Sequence, residues 1–227
     1  MTLDISFWEL MINTWVVMAV LVVCSWLVSR NLTSEIHPTG LQNWLEAVVE
    51  AIDGQIREIS AGDSKPYLAF IGTLFLFILT SNVLAIFPSM AQLVEGLPKV
   101  YHAPTSSLET TAALALAVFF AVPLFSISRY GLRHYLGTYL KPTPIMLPFN
   151  IIGELSRTLA LAMRLFGNMM SGVIVVAIAI SIAPLVFPVV LQLFGLLTGS
   201  IQAYIFAVLA MVYIASASKT QQKAGGK

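Results

Sequence analysis

Five runs of apolar sequence, each long enough to cross a bilayer, leave this chain few folds to choose from. They cover about residues 6–29, 66–87, 105–127, 147–182 and 185–217. A helix of about 20 apolar residues spans the hydrocarbon core at about 1.5 Å per residue. In that medium every backbone N–H and C=O must be satisfied within the protein, which leaves helices or a closed barrel. The runs are continuous and lack the two-residue alternation of barrel strands, so they predict helices. Charged residues make up 10% of the chain and the mean hydropathy is +0.86. A soluble domain carries about 25% charge, so there is too little polarity here to coat one. The expected fold is an all-α integral membrane protein, one membrane domain over residues 1–227.

The fourth run is too long for one perpendicular crossing and predicts a tilted helix. A short uncharged turn, Ala183-Pro184 with Pro188 soon after, joins it to the fifth. The last two runs therefore predict one long antiparallel hairpin. Residues 40–59 follow another pattern. Leu41, Trp44, Leu45, Val48, Val49, Ile52, Ile56 and Ile59 recur at helical spacing, while Glu46, Glu50, Asp53 and Arg57 take the opposite face. That is an amphipathic helix, expected to lie in the membrane interface.

Lys and Arg set the orientation. With the N-terminus outside, nine of the twelve fall on the inner side and only Lys99 on the outer. The multi-pass chain is thus expected to run N-out and C-cytoplasmic. Asp4 and Glu9 precede any base, unlike a secretory signal, so the first run is expected to persist as a helix. The tail from Lys219 to Lys227 is expected to be flexible. Cys24 is the only cysteine, which excludes an internal disulfide. His37, His102 and His134 lack partners at ligand spacing, so no metal site is expected. There is no Gly-rich Lys-Ser/Thr phosphate loop, and no cofactor, directly bound nucleotide or nucleic acid is expected.

The chemistry lies between Asn150 and Ser171, where Arg157 and Arg164 interrupt the fourth run. An arginine at mid-membrane costs about 2.5–3.5 kcal/mol on insertion scales, so it faces protein or water. Glu154, Arg157, Leu161, Arg164, Asn168 and Ser171 follow steps of three and four and form one stripe. Arg157 lies near the cytoplasmic start, where it either snorkels to the interface, pairs with Glu154 one turn earlier, or acts in function. Arg164 is deeper. On the fifth run Gly195, Gly199, Gln202 and Phe206 share a face. The glycines would admit a close neighbour helix. Gln202 needs a hydrogen-bond partner when buried, with Arg164 one candidate. An intramembrane arginine of this kind also suits a secondary transporter or channel that binds an anion. Five unequal runs without inverted halves count against a carrier.

Arg164-Leu165-Phe166-Gly167-Asn168 resembles the arginine-centred motif of the a subunit of F-type ATP synthases. Pro38-Thr39-Gly40, Gln42-Asn43, Phe70 to Ile78 with Ser81-Asn82, Ala103-Pro104-Thr105 with Thr110 to Leu116, and Ile201 to Phe206 resemble its bacterial and chloroplast forms in order. The resemblance implies a non-catalytic stator subunit in the bacterial inner membrane, bordered by lipids. It implies two partners, a c-subunit ring and b-type peripheral stalk subunits. Two half-channels would connect ring carboxylates to the two sides, with Arg164 as the essential residue. A guanidinium stays charged at any relevant pH and favours the ionised form of a passing carboxylate. Asn168 and Gln202 match family polar positions near that arginine. Arg157, Glu154, Glu109 and Ser171 complete the expected supporting set.

The chain departs from the family pattern at Val173, where a carboxylate or histidine is usual. It departs also at Gly195, ionisable in some members, and at Ser107, where an aspartate is common. Glu109, where an asparagine is common, is expected to replace that aspartate at the outer channel mouth. Arg157 stands where a lysine is common. The implied ion is the proton, with sodium the alternative because a titratable group is missing.

Overall fold

A computed structural model describes residues 7–30, 40–60, 65–85, 103–131, 146–182 and 187–225. Among these residues the regular structure is entirely helical: α1 (Phe7–Arg30), α2 (Gly40–Ser60), α3 (Lys65–Leu84), a 3-10 turn (Pro104–Ser106), α4 (Leu108–Tyr130), α5 (Met146–Ile182) and α6 (Phe187–Gly225). All but α2 are long and apolar enough to cross a membrane. The five expected spans are therefore present, with shifted ends. The turn expected at Ala183-Pro184 lies outside the described residues, as do the three histidines.

Local chemistry explains the boundaries. The third span starts at Leu108 because Pro104 to Ser106 first close a 3-10 turn. Ser107 then caps α4, its hydroxyl accepting from Thr110 N at 3.3 Å. At the other end Gly131 adopts φ 84°, a conformation that favours glycine, and its N–H donates to Ile127 O at 2.8 Å. Pro148 and Pro188 sit in the first turns of α5 and α6, where no intrahelical donor is lost. The expectation of a flexible tail from Lys219 is corrected in part, since α6 continues to Gly225. Lys, Gln and Ala are strong helix formers, and no breaker intervenes before Gly225. At 37 residues α5 is about 55 Å long, nearly twice the roughly 30 Å hydrocarbon core, so it cannot stand upright in a bilayer.

The hairpin partner α6 is the hub, packing against α2, α3, α4 and α5. Ala203, Ala207 and Ala210 keep it thin, and Phe206, Met211 and Ile214 fill the space between its neighbours. α3 contributes Tyr67, Ile71, Leu74 and Ile78, and α4 contributes Ala115, Val118, Ala121 and Val122. Phe125 of α4 joins the two, with ring centroids 5.2 Å from Tyr67 and 5.8 Å from Phe70. α2 lays Ile52 and Ile56 onto this core. Its outer face carries an Arg57–Asp53 ion pair at 2.6 Å, as the amphipathic pattern predicts. The side chains of Leu41, Trp44, Leu45 and Val48 lie outside the described set.

Candidate functional site: an exposed arginine helix beside a buried polar seam

The helix that carries the arginines is the least covered of the five spans. Only 11% of the α5 span is buried, against 33% for α3, α4 and α6. Its exposed face presents Ile152, Leu159, Met163, Ile174 and Ile178. The neighbouring face of α6 adds Val190, Phe194, Leu197 and Ile201. An exposed apolar strip of this extent marks a lipid or protein contact surface.

Arg157 and Arg164 are both exposed at the edge of this strip. Seven residues separate them, so they project the same way about 10 Å apart along the helix. Beside them Leu161 and Leu165 turn inward and are buried. Among the described residues Arg164 makes no hydrogen bond or ion pair. It is a permanent positive charge on an apolar surface, and in a membrane it requires an anion or water.

The rest of the stripe ties α5 to α6. Asn168 Nδ2 donates to Thr198 O at 3.4 Å, one turn beyond Arg164. Ser171 is exposed, and its hydroxyl donates to Asn168 O at 3.0 Å. Glu154 is half-buried, and its backbone carbonyl accepts from Thr158 Oγ1 at 3.0 Å. Arg157 reaches across the hairpin, its guanidinium carbon 5.8 Å from the centroid of the Tyr213 ring. The expected hydrogen bond of Gln202 to Arg164 is not made: Gln202 is buried on α6 and its amide nitrogen has no hydrogen-bond partner among the described residues.

Behind the strip lies a seam of buried neutral polar groups that the spacing pattern did not assign. Asn82 Nδ2 donates to Gly199 O at 2.9 Å. Thr105 Oγ1 donates to Asn82 Oδ1 at 2.7 Å, and Ser81 Oγ lies 3.4 Å from Thr105 Oγ1. Ser106 and Ser107 turn back onto Ala103 O and Pro104 O at 2.7 and 2.9 Å. Gln192 is 6% exposed, and neither amide atom has a partner among the described residues. Its signal in the sequence was its register with Gly195, Gly199 and Gln202. For Asn82 the signal was an amide inside an apolar run.

Gly195 and Gly199 of α6 play different parts. A Cβ on Gly199 would stand 3.1 Å from Met169 Cε and 3.2 Å from Asn82 Nδ2, whereas one on Gly195 meets nothing within 4 Å. Glu109 is exposed in the first turn of α4, where the helix dipole favours a carboxylate. Val173 is half-buried. Among the described residues no group of three or more His, Cys, Asp or Glu is placed to hold a metal ion.

Five apolar helices, the least covered of them bearing an exposed arginine with no partner among the described residues, define a multi-pass membrane protein with a charged site on a spanning helix. The family model described as ATP synthase A chain matches residues 11–215, and the chain belongs to that family. It is 56% identical over 212 residues to "ATP synthase subunit a 2" of Acaryochloris marina, covering 93% of this chain and 86% of that one. It is 54% identical to "ATP synthase subunit a 1" of Crocosphaera subtropica, covering 94% and 88%. It is 50% identical to "ATP synthase subunit a" of Albidiferax ferrireducens, covering 95% and 92%.

Proposed function

We propose that this chain is the ion-conducting stator subunit of a rotary ATP synthase. The exposed strip of α5 and α6 faces a ring of c subunits, and b-type stalk subunits hold the chain against rotation. Arg164 meets each ring carboxylate as it passes between two half-channels. The observation that carries this reading is the exposure of Arg164 on the least buried span, without a partner among the described residues. Such a charge lacks its anion among the described residues, and a carboxylate delivered from outside supplies it. The fixed positive charge favours the ionised carboxylate, so the bound ion leaves. It also repels a cation crossing directly from one half-channel to the other.

Asn168 anchors the arginine's stretch of α5 to α6. Ser171 adds exposed polar surface nearby, Gln202 adds a buried amide on α6, and Glu154 and Arg157 extend the polar stripe toward the cytoplasmic start of α5. The seam from Ser107 to Asn82 lies on the outer half, with Glu109 at its mouth. The chain performs no covalent chemistry itself, and ATP is made or split on other subunits. It runs N-out and C-in in a bacterial inner membrane. The proton is the coupling ion. Sodium is the second reading, favoured because Val173 and Ser107 leave those positions without a titratable group.

The test is ATP-driven ion pumping by the assembled complex in vesicles, wild type against Arg164→Ala, with protons alone and with added sodium. Assembly with pumping abolished is expected. Normal pumping by the variant would overturn the mechanism. The sodium dependence of the wild type names the ion. A secondary transporter would instead move an anion when this chain is reconstituted alone.

A further inference from the structure

Arg157 is the second charged group on the exposed edge, and the stator mechanism gives it only a supporting role. It is exposed and shares its direction with Arg164, two helical turns toward the cytoplasmic start of α5. A side chain left to snorkel would extend along its own helix toward water. This one lies across the hairpin, 5.8 Å from the centre of the Tyr213 ring on α6. That is within cation–π range, and the attraction grows where water is excluded. The aromatic ring therefore fixes a permanent charge at the α5–α6 edge of the apolar strip, level with the inner side.

We propose that Arg157, positioned by Tyr213, is a second cationic station for ring carboxylates, which keeps them ionised on the cytoplasmic side of Arg164 and so controls ion release to that side. The inference rests on the stator reading. A cation near a carboxylate favours its ionised form and depresses proton uptake. One arginine releases the ion from the carboxylate it meets. A second, about 10 Å along the same helix, extends the stretch over which the carboxylate stays empty. An ion released inward is then less able to rebind before the ring moves on. Tyr213 is a positioning residue here, acting through the guanidinium it holds. A tyrosine ring does this without adding a charge.

Other ionisable groups belong to the elements packed around this end of α5. They are Glu154 and Arg164 on α5 itself, Tyr204, Tyr213, Lys219 and Lys223 on α6, and Arg129 and Tyr130 at the inner end of α4; Glu109 lies at the opposite end of α4, and the 3-10 turn carries none. The nearest acid in sequence, Glu154, opposes the arginine's effect. Removing Arg157 therefore leaves a net shift toward the protonated carboxyl.

The experiment measures the pH dependence of carbodiimide labelling of the ring carboxylate in the assembled complex, because the reagent attacks only the protonated carboxyl. Arg157→Gln, Arg157→Lys, Tyr213→Phe and Tyr213→Leu are compared with wild type, and Arg164→Ala is run in parallel for pumping. Arg157→Gln and Tyr213→Leu are expected to move the labelling profile up by about one pH unit and to slow ATP synthesis most when the inner side is acidic. Arg157→Lys and Tyr213→Phe are expected to restore the wild-type profile, since they keep the charge and the ring. An unshifted profile in Arg157→Gln overturns the inference, as does a shift in Arg157→Lys equal to that in Arg157→Gln. Should Arg157→Gln not assemble, the Tyr213 pair decides alone, and equal shifts in Phe and Leu overturn the ring's part. If Arg164→Ala abolishes pumping while the Arg157 variants are silent, only this inference fails. If Arg164→Ala pumps normally, the stator reading fails first.

Discussion

Asn82 of α3 donates its side-chain amide to the backbone carbonyl of Gly199 on α6 at 2.9 Å, 117 positions away in the chain. The contact exists because Gly199 has no Cβ to hold Asn82 off. It joins α3 to the hub helix α6. The same glycine is pressed by Met169, which follows Asn168 on the arginine helix. One small residue thus brings α3, α5 and α6 together behind the exposed strip.

Gly199→Ala is expected to destabilise the protein by about 1–3 kcal/mol, the cost of overpacking a filled site. Met169 can bend away, but Asn82 cannot without lengthening its bond. Gly195→Ala, which meets open space, is expected to be neutral or slightly stabilising through helix propensity. Thermal unfolding of the two purified variants in one detergent checks the contrast. Equal losses would show that the close approach at Gly199 carries no weight.

Gln192 and Gln202 are buried, with amide atoms that have no partner among the described residues. An unsatisfied buried polar group costs about 1–3 kcal/mol, and an apolar residue of similar size removes that cost. Gln192→Leu is therefore expected to hold or raise thermal stability while lowering ion pumping severalfold, if its amide serves ions or water in transit. Unchanged pumping would assign Gln192 to structure alone.

Gly167 is exposed one turn beyond Arg164, and a Cβ there meets nothing within 4 Å. Within the isolated chain Gly167→Leu is expected to leave stability within about 0.5 kcal/mol. In the assembled complex a bulky side chain on that face is expected to obstruct the ring and cut ATP-driven pumping at least tenfold. Full pumping would place the ring on some other surface.

Ser107 caps α4 through Thr110 N, and its hydroxyl also donates to Pro104 O. Ser107→Ala is expected to cost about 1 kcal/mol through the lost cap. Ser107→Asp is expected to keep the cap and the favourable charge at the helix N-terminus but to lose the donation to Pro104 O, so it recovers only part of that loss. Thermal scans separate them. A Ser107→Ala variant as stable as wild type would show that the cap is dispensable.

Hydrophobic run length alone determined that this chain enters a membrane as five helices, because a bilayer tolerates no unsatisfied backbone. Helical spacing determined that Arg157 and Arg164 share a direction, and that α2 is amphipathic. These are local properties, set by rise, period and solvent. Spacing could not determine that Arg157 crosses to Tyr213, 56 residues on, or that Gln202 leaves Arg164 unpartnered. Nor could it separate Gly199 from Gly195, which look alike on one helix face until Asn82 and Met169 arrive beside only one of them. Those facts depend on which helices touch and at what height. Only the packing of alanine-rich α6 against its neighbours decided that, because side-chain contact at a distance in sequence is a product of assembly.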